Sequence, residues 1–579
     1  MRYYIILLVM VLLAGCDNSG RDVNGLLTEE KSLEIKEYIN KQVAEDRSID
    51  IKGTFGKDLR GLKLTGVNVT GVDFSNADLS YAQIARVTFA KCNMTNIILN
   101  QATIQESDFS EVKFANLNAN KVDFQASIFN NTSFENVNLS EANLEEADFT
   151  KAIINNSRFD KAILTKSILS GVTINDSNFQ KANLIKTKFI DAKIANSGFF
   201  GTDMRQVNIS KSTISGSSFE SSDLSGTEVK SSAFINTDFS QSIIDDVKFS
   251  ESTRFKDSLF QHASMQRAIL QKVTIDDCDF TDVKMLSSDI NDVRVQDSIF
   301  NDAKFTGSDI KVFYGENITA KNLDLEKVRF SNSQMLNSDL SKAKLSNGRL
   351  IKSVFNNTNF NEALIENHII EDSNFIKAKF VKTIFKKCNI NRSNISLSKL
   401  DQIAIINCNF GNVRINRSPV INSQIRDVNA VALAFINSPL SRNILINNSG
   451  LERAKETDSL KSIDEILKVK NLSTMNLAYL DLSKQKFQKI NFNNTIFTGV
   501  NFKDVVCNNC NFDNVDFSNV DFTNSNLTGS KIVNSIVTEA KFIETNLSDV
   551  ILENLNFSRS DVSKIILDNA KMTNVIGLK

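Results

Sequence analysis

The apolar residues of this sequence repeat with a period of five, and their identities repeat with a period of twenty. Every row of twenty between residues 159 and 249 begins with phenylalanine, at Phe159, Phe179, Phe199, Phe219 and Phe239. Neither a helix nor a strand can keep this spacing on one face, because five residues advance a helical side chain by about 500° and flip a strand side chain over. The chain must therefore turn once per unit of five. Four units should close one coil that stacks on the next.

The side chain two positions before each fifth-position residue is small, as at Ala142, Ala147, Ala152 and Ser157. A coil this tight has room inside for one large and one small side chain per side, so both should point inward. The other three positions carry mostly Asn, Asp, Lys, Ser, Glu and Gln, which suit a solvated face. The pattern predicts an all-β solenoid.

Residues 142–151, Ala-Asn-Leu-Glu-Glu-Ala-Asp-Phe-Thr-Lys, resemble two A(D/N)LXX units of the pentapeptide repeat family. The resemblance implies a right-handed, four-sided parallel β-helix with four pentapeptides per coil. It extends over residues 53–449 and 472–579. Some members of this family mimic DNA and protect topoisomerases.

The register of the repeat divides the chain into segments. We expect a signal peptide in 1–15, a tether and capping helix in 16–52, a long β-helix in 53–449, a helical linker in 450–471 and a second β-helix in 472–579. One residue is inserted near 250–255, and Gly315 occupies an inward position in the irregular stretch 313–317, where we expect a bulge or short loop.

Two short helices are predicted outside the repeat. Residues 26–46 are rich in strong helix formers and should cap the first coil, because a solenoid end otherwise exposes its core. Leu460, Ile463 and Leu467 fall on one helical face, with Asp458 or Ser459 as the N-cap.

The N-terminus resembles a bacterial lipoprotein signal peptide. Arg2 precedes the apolar run 5–13, which is too short to span a bilayer as a helix. Residues 13–16, Leu-Ala-Gly-Cys, resemble the lipobox, which implies cleavage before Cys16 and lipidation of its sulfur. The alternative is a plain signal peptide with a chance cysteine at its end.

A lipid on Cys16 would anchor the mature protein to a membrane outside the cytoplasm, within the cell envelope. Asp17 resembles the residue that keeps lipoproteins of enteric-type bacteria in the inner membrane. In a Gram-negative source the chain should therefore face the periplasm.

No constellation of residues points to catalysis or to a cofactor. His262 and His368 are the only histidines, and each lacks the partners of a triad or a His-based metal site. Cys507 and Cys510 have the spacing of a redox or metal pair, but they occupy inward positions, where we expect buried thiols. Cys388 and Cys408 should stack one coil apart, also as thiols. We expect a chain that is not an enzyme.

The formal net charge of -1 disfavours both a generally basic nucleic-acid binder and a strongly acidic DNA mimic. Two function classes remain, together with a third that the sequence supports less. The first is a non-enzymatic envelope lipoprotein that acts as a scaffold and binds proteins or cell-wall components. The second is a DNA mimic that protects topoisomerases, and the third is a secreted effector directed at a host. The sequence leaves the oligomeric state open.

One acidic corner is a candidate calcium site. Four aspartates should gather there over two coils: Asp277, Asp282, Asp297 and Asp302. Their mutual repulsion would be relieved by a hard divalent cation. The alternative is that Lys284, Arg294 and Lys304 neutralise them.

An apolar stripe is a candidate partner surface. Val354, Leu364, Ile369 and Ile384 are apolar at a position that is otherwise mostly polar, and Leu364, Ile384 and Ala404 should align on successive coils. Basic residues lie close in sequence: Lys377, Lys379, Lys382, Lys386, Lys387 and Arg392. An apolar stripe rimmed by positive charge would suit an acidic partner or anionic lipid heads. The alternative is that branched residues only favour the strand and are exposed singly.

Overall fold

A computed structural model of the chain describes residues 20–449, 451, 456–457 and 459–578. The expected signal peptide 1–15, the expected lipidation site Cys16 and the sorting residue predicted at Asp17 lie outside the described residues. Contacts divide the chain into two compact units, of which the first ends at Phe300 and the second begins at Asn301.

Each side of a coil is one five-residue unit that ends in a sharp corner. At a representative corner the Ala147 N–H donates to the Leu144 carbonyl at 3.1 Å. Glu146, at the third position of this turn, has φ 60°. A positive φ at the third residue is the mark of a type II turn. Asparagine, aspartate, lysine and glycine recur at this corner position, and asparagine and aspartate tolerate the left-handed region better than other side chains.

Successive coils pair in parallel with a register of twenty residues. Ile154 pairs with Ile174 and Ile174 with Ile194. The predicted four-sided parallel β-helix is therefore confirmed. The strands of the first unit are Lys63–Thr65, Gln83–Ala85, Thr103–Gln105, Lys113–Ala115, Ser133–Glu135, Ile153–Asn155, Thr173–Asn175, Lys188–Ile190, Lys193–Ala195, Asn208–Ser210, Thr213–Ser215, Glu228–Lys230, Ala233–Ile235, Lys248–Ser250, Arg254–Lys256, Ile269–Gln271, Thr274–Asp276 and Asp289–Gln296.

The core of the first unit is a set of stacked columns. Phe179, Phe199 and Phe219 are fully buried, and their rings stack with centroid distances of 4.9 and 4.7 Å. The small inward serines form a second column, in which the Ser157 N–H donates to the Ser177 hydroxyl at 3.1 Å. Because the hydroxyl satisfies a backbone donor of the preceding coil, serine fits this interior as well as alanine.

A helix, Glu29–Ala44, packs against the first strand of the β-helix. Thr28 caps its N-terminus by accepting a hydrogen bond from the Lys31 N–H at 3.2 Å. Ile35 and Ile39 are fully buried, so this helix covers the end of the core. A short helix, Ile51–Phe55, leads from it into the first coil.

The extra residue near 250–255 is absorbed at a corner. Glu251 and Ser252 both have positive φ, at 55° and 66°. Pairing then resumes with a shift of one, since Phe234 pairs with Phe255. The strands before and after the insertion therefore stay in phase.

The structure corrects the bulge expected at 313–317. Residues 313–316 belong to the strand Asp309–Glu316, which runs through a corner at Val312, and Gly315 pairs with Met335. A Cβ on Gly315 would lie 2.6 Å from the Ile318 side chain and 2.8 Å from the Phe313 ring. Neighbouring side chains thus fill the space that glycine leaves, and the coil keeps its path.

The second unit contains further β-helical coils in residues 301–449 and 472–578. Its strands are Asp309–Glu316, Arg329–Ser331, Gln334–Leu336, Lys344–Ser346, Arg349–Ile351, Leu364–Glu366, Ile369–Glu371, Asn374–Ile376, Ile384–Lys386, Asn389–Asn391, Asn394–Ser396, Leu400–Asp401, Ala404–Ile406, Asn409–Gly411, Arg414–Asn416, Val420–Ile421, Gln424–Arg426, Asn429–Val431, Ala434–Ile436, Leu440–Ser441, Ile444–Ile446, Glu456–Thr457, Lys486–Gln488, Val506–Asn508, Asn511–Asp513, Lys531–Val533, Ile551–Asn556 and Lys571–Ile576.

The helix in the link between the two sets of coils is shorter than expected. The helix is Ile463–Lys468, and Ser462 is its N-cap, accepting from the Glu465 N–H at 3.2 Å. Leu460 lies before it in an extended bridge to Ile444, and Ile466 is the residue buried in the core. The bridge continues the coil, so the helix begins only after the chain has left it.

Candidate functional site

The predicted apolar stripe lies on one sheet of the 301–449 coils. We call this sheet the docking face; its strands are Lys344–Ser346, Leu364–Glu366, Ile384–Lys386, Ala404–Ile406, Gln424–Arg426 and Ile444–Ile446. Leu364 pairs with Ile384, and Ile384 with Ala404, in the register that the sequence predicts. Val354 and Ile369 are half-buried and belong to other columns, since Val354 pairs with Asn374 and Ile369 with Asn389.

The 472–578 coils cover part of this stripe. Ala478 and Ile496 pack against Ile384, Ala404 and Ile406 in one buried cluster, with Leu364 and Tyr479 at its edge. Ile384 is 9% exposed and Ala404 is fully buried. The structure thus revises the interpretation of the stripe as a surface for an external partner, because the chain itself occupies the part formed by Ile384 and Ala404.

Polar contacts fix the docking. The Asn476 side-chain amide donates to the Gln402 carbonyl at 2.7 Å, and its backbone N–H donates to the Asn422 carbonyl at 3.1 Å. The Gln402 side chain donates to the carbonyls of Thr474 and, at 3.0 Å, Asn494. Asn422 contacts Asn476, whereas Gln402, one coil earlier, reaches Asn494, nearly one coil later. Earlier residues of the 301–449 coils thus contact later residues of the 472–578 coils. The two sets of coils therefore run antiparallel, side by side.

The basic residues near the stripe divide into two groups. Lys386 donates to Glu366 at 3.0 Å and lies 4.3 Å from the centre of the Tyr479 ring. Arg392 binds Asp372 at 2.7 Å, and this hydrogen bond lowers the pKa of the carboxyl. Of the other four, Lys382 is half-buried, and the remaining three are exposed: Lys377, Lys379 and Lys387.

Beyond the docked region the two sets of coils leave a groove of about 390 Å³. Lys342, Glu362 and Lys382 line one wall at successive corners of the 301–449 coils. The Lys342 ammonium lies 3.9 Å from the Glu362 carboxylate. Leu364 and Ile384 line the part of the groove next to the docked region.

The 472–578 coils form the opposite wall. Asp516 accepts a hydrogen bond from the Thr498 hydroxyl at 2.7 Å and another from the Ser518 N–H at 2.9 Å. Asn514 and Asn519 present side-chain amides, and Ile536 is 55% exposed. The sequence pattern did not predict this wall. Its signal was the apolar residues Ile496 and Ile536, which occupy the usually polar position immediately before an inward residue.

The four aspartates of the calcium prediction lie at corners, but they have other neighbours. Asp282 lies 3.1 Å from the Nδ1 atom of His262, and Asp302 accepts from the Asn322 amide at 3.0 Å. Asp277 and Asp297 occupy the corners that follow the paired residues 276 and 296. Within the described ranges, no group of three or more His, Cys, Asp and Glu side chains could hold a metal ion.

The structure corrects the expectation of thiols at Cys507 and Cys510, which form a disulfide with a Cα–Cα distance of 5.7 Å. Both residues are buried. Cys388 and Cys408 are free thiols, and the Cys388 N–H donates to the Cys408 sulfur at 3.3 Å. Their inward positions stack one coil apart, as the sequence predicts.

Three family models match stretches of this β-helix. The model of a pentapeptide repeat region matches residues 102–179 and 152–229. Two models of pentapeptide repeats match residues 492–531 (9 copies) and residues 58–96, 476–505 and 535–574 (8 copies). The chain is a pentapeptide repeat protein.

Solved structures similar to this pentapeptide repeat protein are distant in sequence. HetL, a pentapeptide repeat protein involved in heterocyst differentiation regulation in Nostoc sp. strain PCC 7120, is 15% identical; the match covers 43% of this chain and 95% of HetL with a TM-score of 0.16. Full-length QnrB1, a plasmid-mediated fluoroquinolone resistance protein, is 14% identical, with 44% and 94% covered and a TM-score of 0.13. A search of curated proteins gives no significant match. In the part of the pentapeptide repeat protein that the structure describes, no helix is long and apolar enough to cross a membrane.

Proposed function

We propose that this pentapeptide repeat protein is a non-enzymatic, membrane-anchored lipoprotein of the cell envelope, and that it acts as a scaffold through the faces of its β-helix. The lipobox at residues 13–16 supports the anchor, and the regular faces support the scaffold. The scaffold role rests mainly on the pairing between coils. This pairing satisfies the backbone hydrogen-bonding groups within the β-helix, and columns of side chains remain exposed on its outer faces.

One such column shows what these faces offer a partner. Asn76, Asn96, Asn116, Asn136 and Asn156 stack on successive coils, and the Asn96 amide donates to Asn76 at 3.0 Å. Pairing along the column holds each amide in a fixed orientation, so less side-chain entropy is lost when a partner binds. Such a surface presents the same amide groups at the same spacing on every coil, so a partner with a matching repeat can bind along its length.

The histidines support a role without catalysis. His368 is buried in the core, out of reach of a substrate, and His262 pairs with Asp282 on the surface. In the groove, the Thr498 hydroxyl bonds to Asp516 without a histidine between them. Pentapeptide repeat β-helices are typically structural or interaction proteins, and the regular coils of this chain suit such a role.

Site-specific photocrosslinking in the native membrane tests the scaffold role. A photoreactive residue placed at exposed corners, such as Lys377 and Lys387, should capture the same partner from the membrane fraction at more than one corner. The matched control is the same residue placed at buried Ser353, which should capture nothing. If complete photolysis of the probes gives no crosslinked species at any corner, the scaffold proposal is overturned.

A further inference from the structure

The groove lies between faces whose backbone groups are already paired. The Leu364 N–H donates to the Ala343 carbonyl at 3.0 Å, and the Ile496 N–H donates to the Met475 carbonyl at 3.1 Å. On the far wall the Ile536 N–H donates to the Val515 carbonyl at 2.9 Å. An extended peptide is usually recognised by adding a strand to an unpaired edge, and these walls offer none. A ligand here must be recognised through side chains.

The charges that line the groove balance. Lys342 and Lys382 supply two ammonium groups, while Glu362 and Asp516 supply two carboxylates. The close Lys342–Glu362 pair cancels most of its own field. A polyanion would meet the Asp516 and Glu362 carboxylates, and a polycation would meet both lysines. The lining therefore favours a neutral ligand.

The uncharged groups of the lining are hydrogen-bonding side chains at close intervals. Asn514 and Asn519 carry amides, and Thr498 and Ser518 carry hydroxyls. The Asn514 amide donates one hydrogen bond to Asn494 at 2.7 Å and keeps a second N–H and its oxygen for a ligand. Each Asp516 oxygen accepts one hydrogen bond from the protein and keeps lone-pair capacity for a further donor. Such a set matches a ligand that carries many hydroxyl groups, each able both to donate and to accept.

One aromatic ring lies at the inner end of the groove. The Tyr479 ring lies against the corner of the next coil because that corner is Gly499, where a Cβ would lie 2.6 Å from two ring atoms. The Lys386 ammonium is held 4.3 Å from the ring centre. These contacts fix the ring and cover part of it, so the part of the ring that lines the groove is held in place at little entropic cost.

We propose that the groove binds a short segment of a neutral oligosaccharide. Its hydroxyl groups would bond to Asp516 and to the amides of Asn514 and Asn519, and the C–H face of a sugar ring would pack on Tyr479. The volume of about 390 Å³ lies within the range of small-ligand sites. The proposal deepens the scaffold function and rests on it, because it names the class of partner that one surface takes without cleaving it.

Binding of defined oligosaccharides to the purified full chain tests the proposal. Chitotetraose and cellotetraose serve as neutral probes, with tetragalacturonate as an anionic probe and an uncharged octapeptide as a peptide probe. Saturation-transfer NMR and calorimetry should detect at least one neutral tetrasaccharide and neither of the other two. If only the tetragalacturonate or the peptide binds, or if no probe binds, the proposal is overturned.

Two matched pairs of variants locate the site. Asp516→Ala should weaken binding at least about tenfold. Asp521→Ala, on the neighbouring face, is the control and should leave binding unchanged. Both variants lose the hydrogen bond that the carboxylate accepts from the backbone N–H two residues later. Asn519→Arg should block the groove, and Asn524→Arg should not; both positions have φ 59°. Equal binding by the two members of each pair would overturn the assignment to the groove.

Chromatography of the probe after incubation separates this proposal from the proposed function. Binding with an intact tetrasaccharide supports both. Binding followed by shortening of the tetrasaccharide would support the ligand class and overturn the non-enzymatic role. Absence of binding overturns the ligand class and leaves the crosslinking test of the scaffold unaffected.

Discussion

At the scale of single residues, His368 shows how the interior tolerates a large polar side chain. It occupies a small inward position and is 2% exposed. Gly348 precedes it by one coil, and a Cβ there would lie 2.8 Å from the imidazole. The Gly348 N–H donates to His368 Nδ1 at 3.3 Å. Burial lowers the pKa of His368 to about 4, so the ring is neutral in the folded chain at neutral pH.

His368 should make the surrounding coils sensitive to acid. In the unfolded chain its pKa is near 6.5, so the unfolded state takes up a proton first as the pH falls. The stabilisation is present above pH 6.5 and is lost as the pH falls from there to about 4. Between pH 7 and 5 the loss should be about 2 kcal/mol of local stability, measured by hydrogen exchange. His368→Ser, which restores the usual small residue, is the control and should lack this part of the pH dependence. Identical slopes in the two proteins would contradict the assignment.

Cys16 carries the prediction of the membrane anchor. Cys16→Ser removes the only sulfur that the lipobox places for acylation. We expect no incorporation of labelled fatty acid and accumulation of the uncleaved precursor, measured by metabolic labelling and mass spectrometry. Asp17→Asn is the control, which should keep the lipid. Unchanged processing of Cys16→Ser would show that the lipobox interpretation is wrong.

The inward residues could be predicted from the sequence because the size and polarity of their side chains are fixed by their position in the coil. The interior of a coil admits one large and one small side chain per side, so a period of five marks them directly. The disulfide escaped prediction for a related reason: Cys507 is a large inward residue and Cys510 the next small one, and the pattern alone reads both as apolar. Only their Cα–Cα distance of 5.7 Å shows that the corner brings them within bonding range.

At the scale of elements, each column of the core is the stabilising unit. The phenylalanine column repeats one contact, ring on ring, from coil to coil. Breaks in the pattern are absorbed locally, because an element of five residues contacts mainly the units before and after it. This explains why the insertion at Ser252 and the glycine at 315 leave the pairing of the neighbouring strands in register.

Removing one ring from the column should open the β-helix locally. Phe199→Ala leaves a cavity between Phe179 and Phe219 and should cost about 3 to 5 kcal/mol. Phe200→Ala is the matched control, since Phe200 is the adjacent residue and is 39% exposed. Hydrogen exchange should accelerate in the coils around residue 199 only in the first variant. An even acceleration along all coils would contradict nearest-neighbour stability.

At the scale of the whole molecule, the division of the chain differs from the one that register predicts. The repeat changes phase at 450–471, but the contacts divide at 300 and 301. The reason is that the 472–578 coils pack sideways on the 301–449 coils and so belong to the same unit. Periodicity reveals which residues point inward, and it cannot reveal which outer faces meet. Only the apolar residues at Ile384, Ala404 and Ile496, at positions that are usually polar, hint at the contact.

Charge placed in the docked stripe should separate the two sets of coils without unfolding either. Ile384→Asp with Ala404→Asp buries two unpaired carboxylates and should cost about 3 to 5 kcal/mol or more. The Asn476 N–H, which donates to the Asn422 carbonyl across the contact, should lose its protection from hydrogen exchange.

An amide within the 472–578 coils is the internal reference for this experiment. The Leu482 N–H donates to the Asn501 carbonyl at 2.9 Å, so it should stay protected if the coils remain folded. Ile369→Asp, on a half-buried strand outside the docking face, is the matched variant and should leave Asn476 protected. Protection of Asn476 in the double variant would mean that the buried stripe does not hold the two sets of coils together. Loss of protection at Asn476 alone would show that each set of coils is stable by itself, and that an apolar stripe first visible in the sequence joins them.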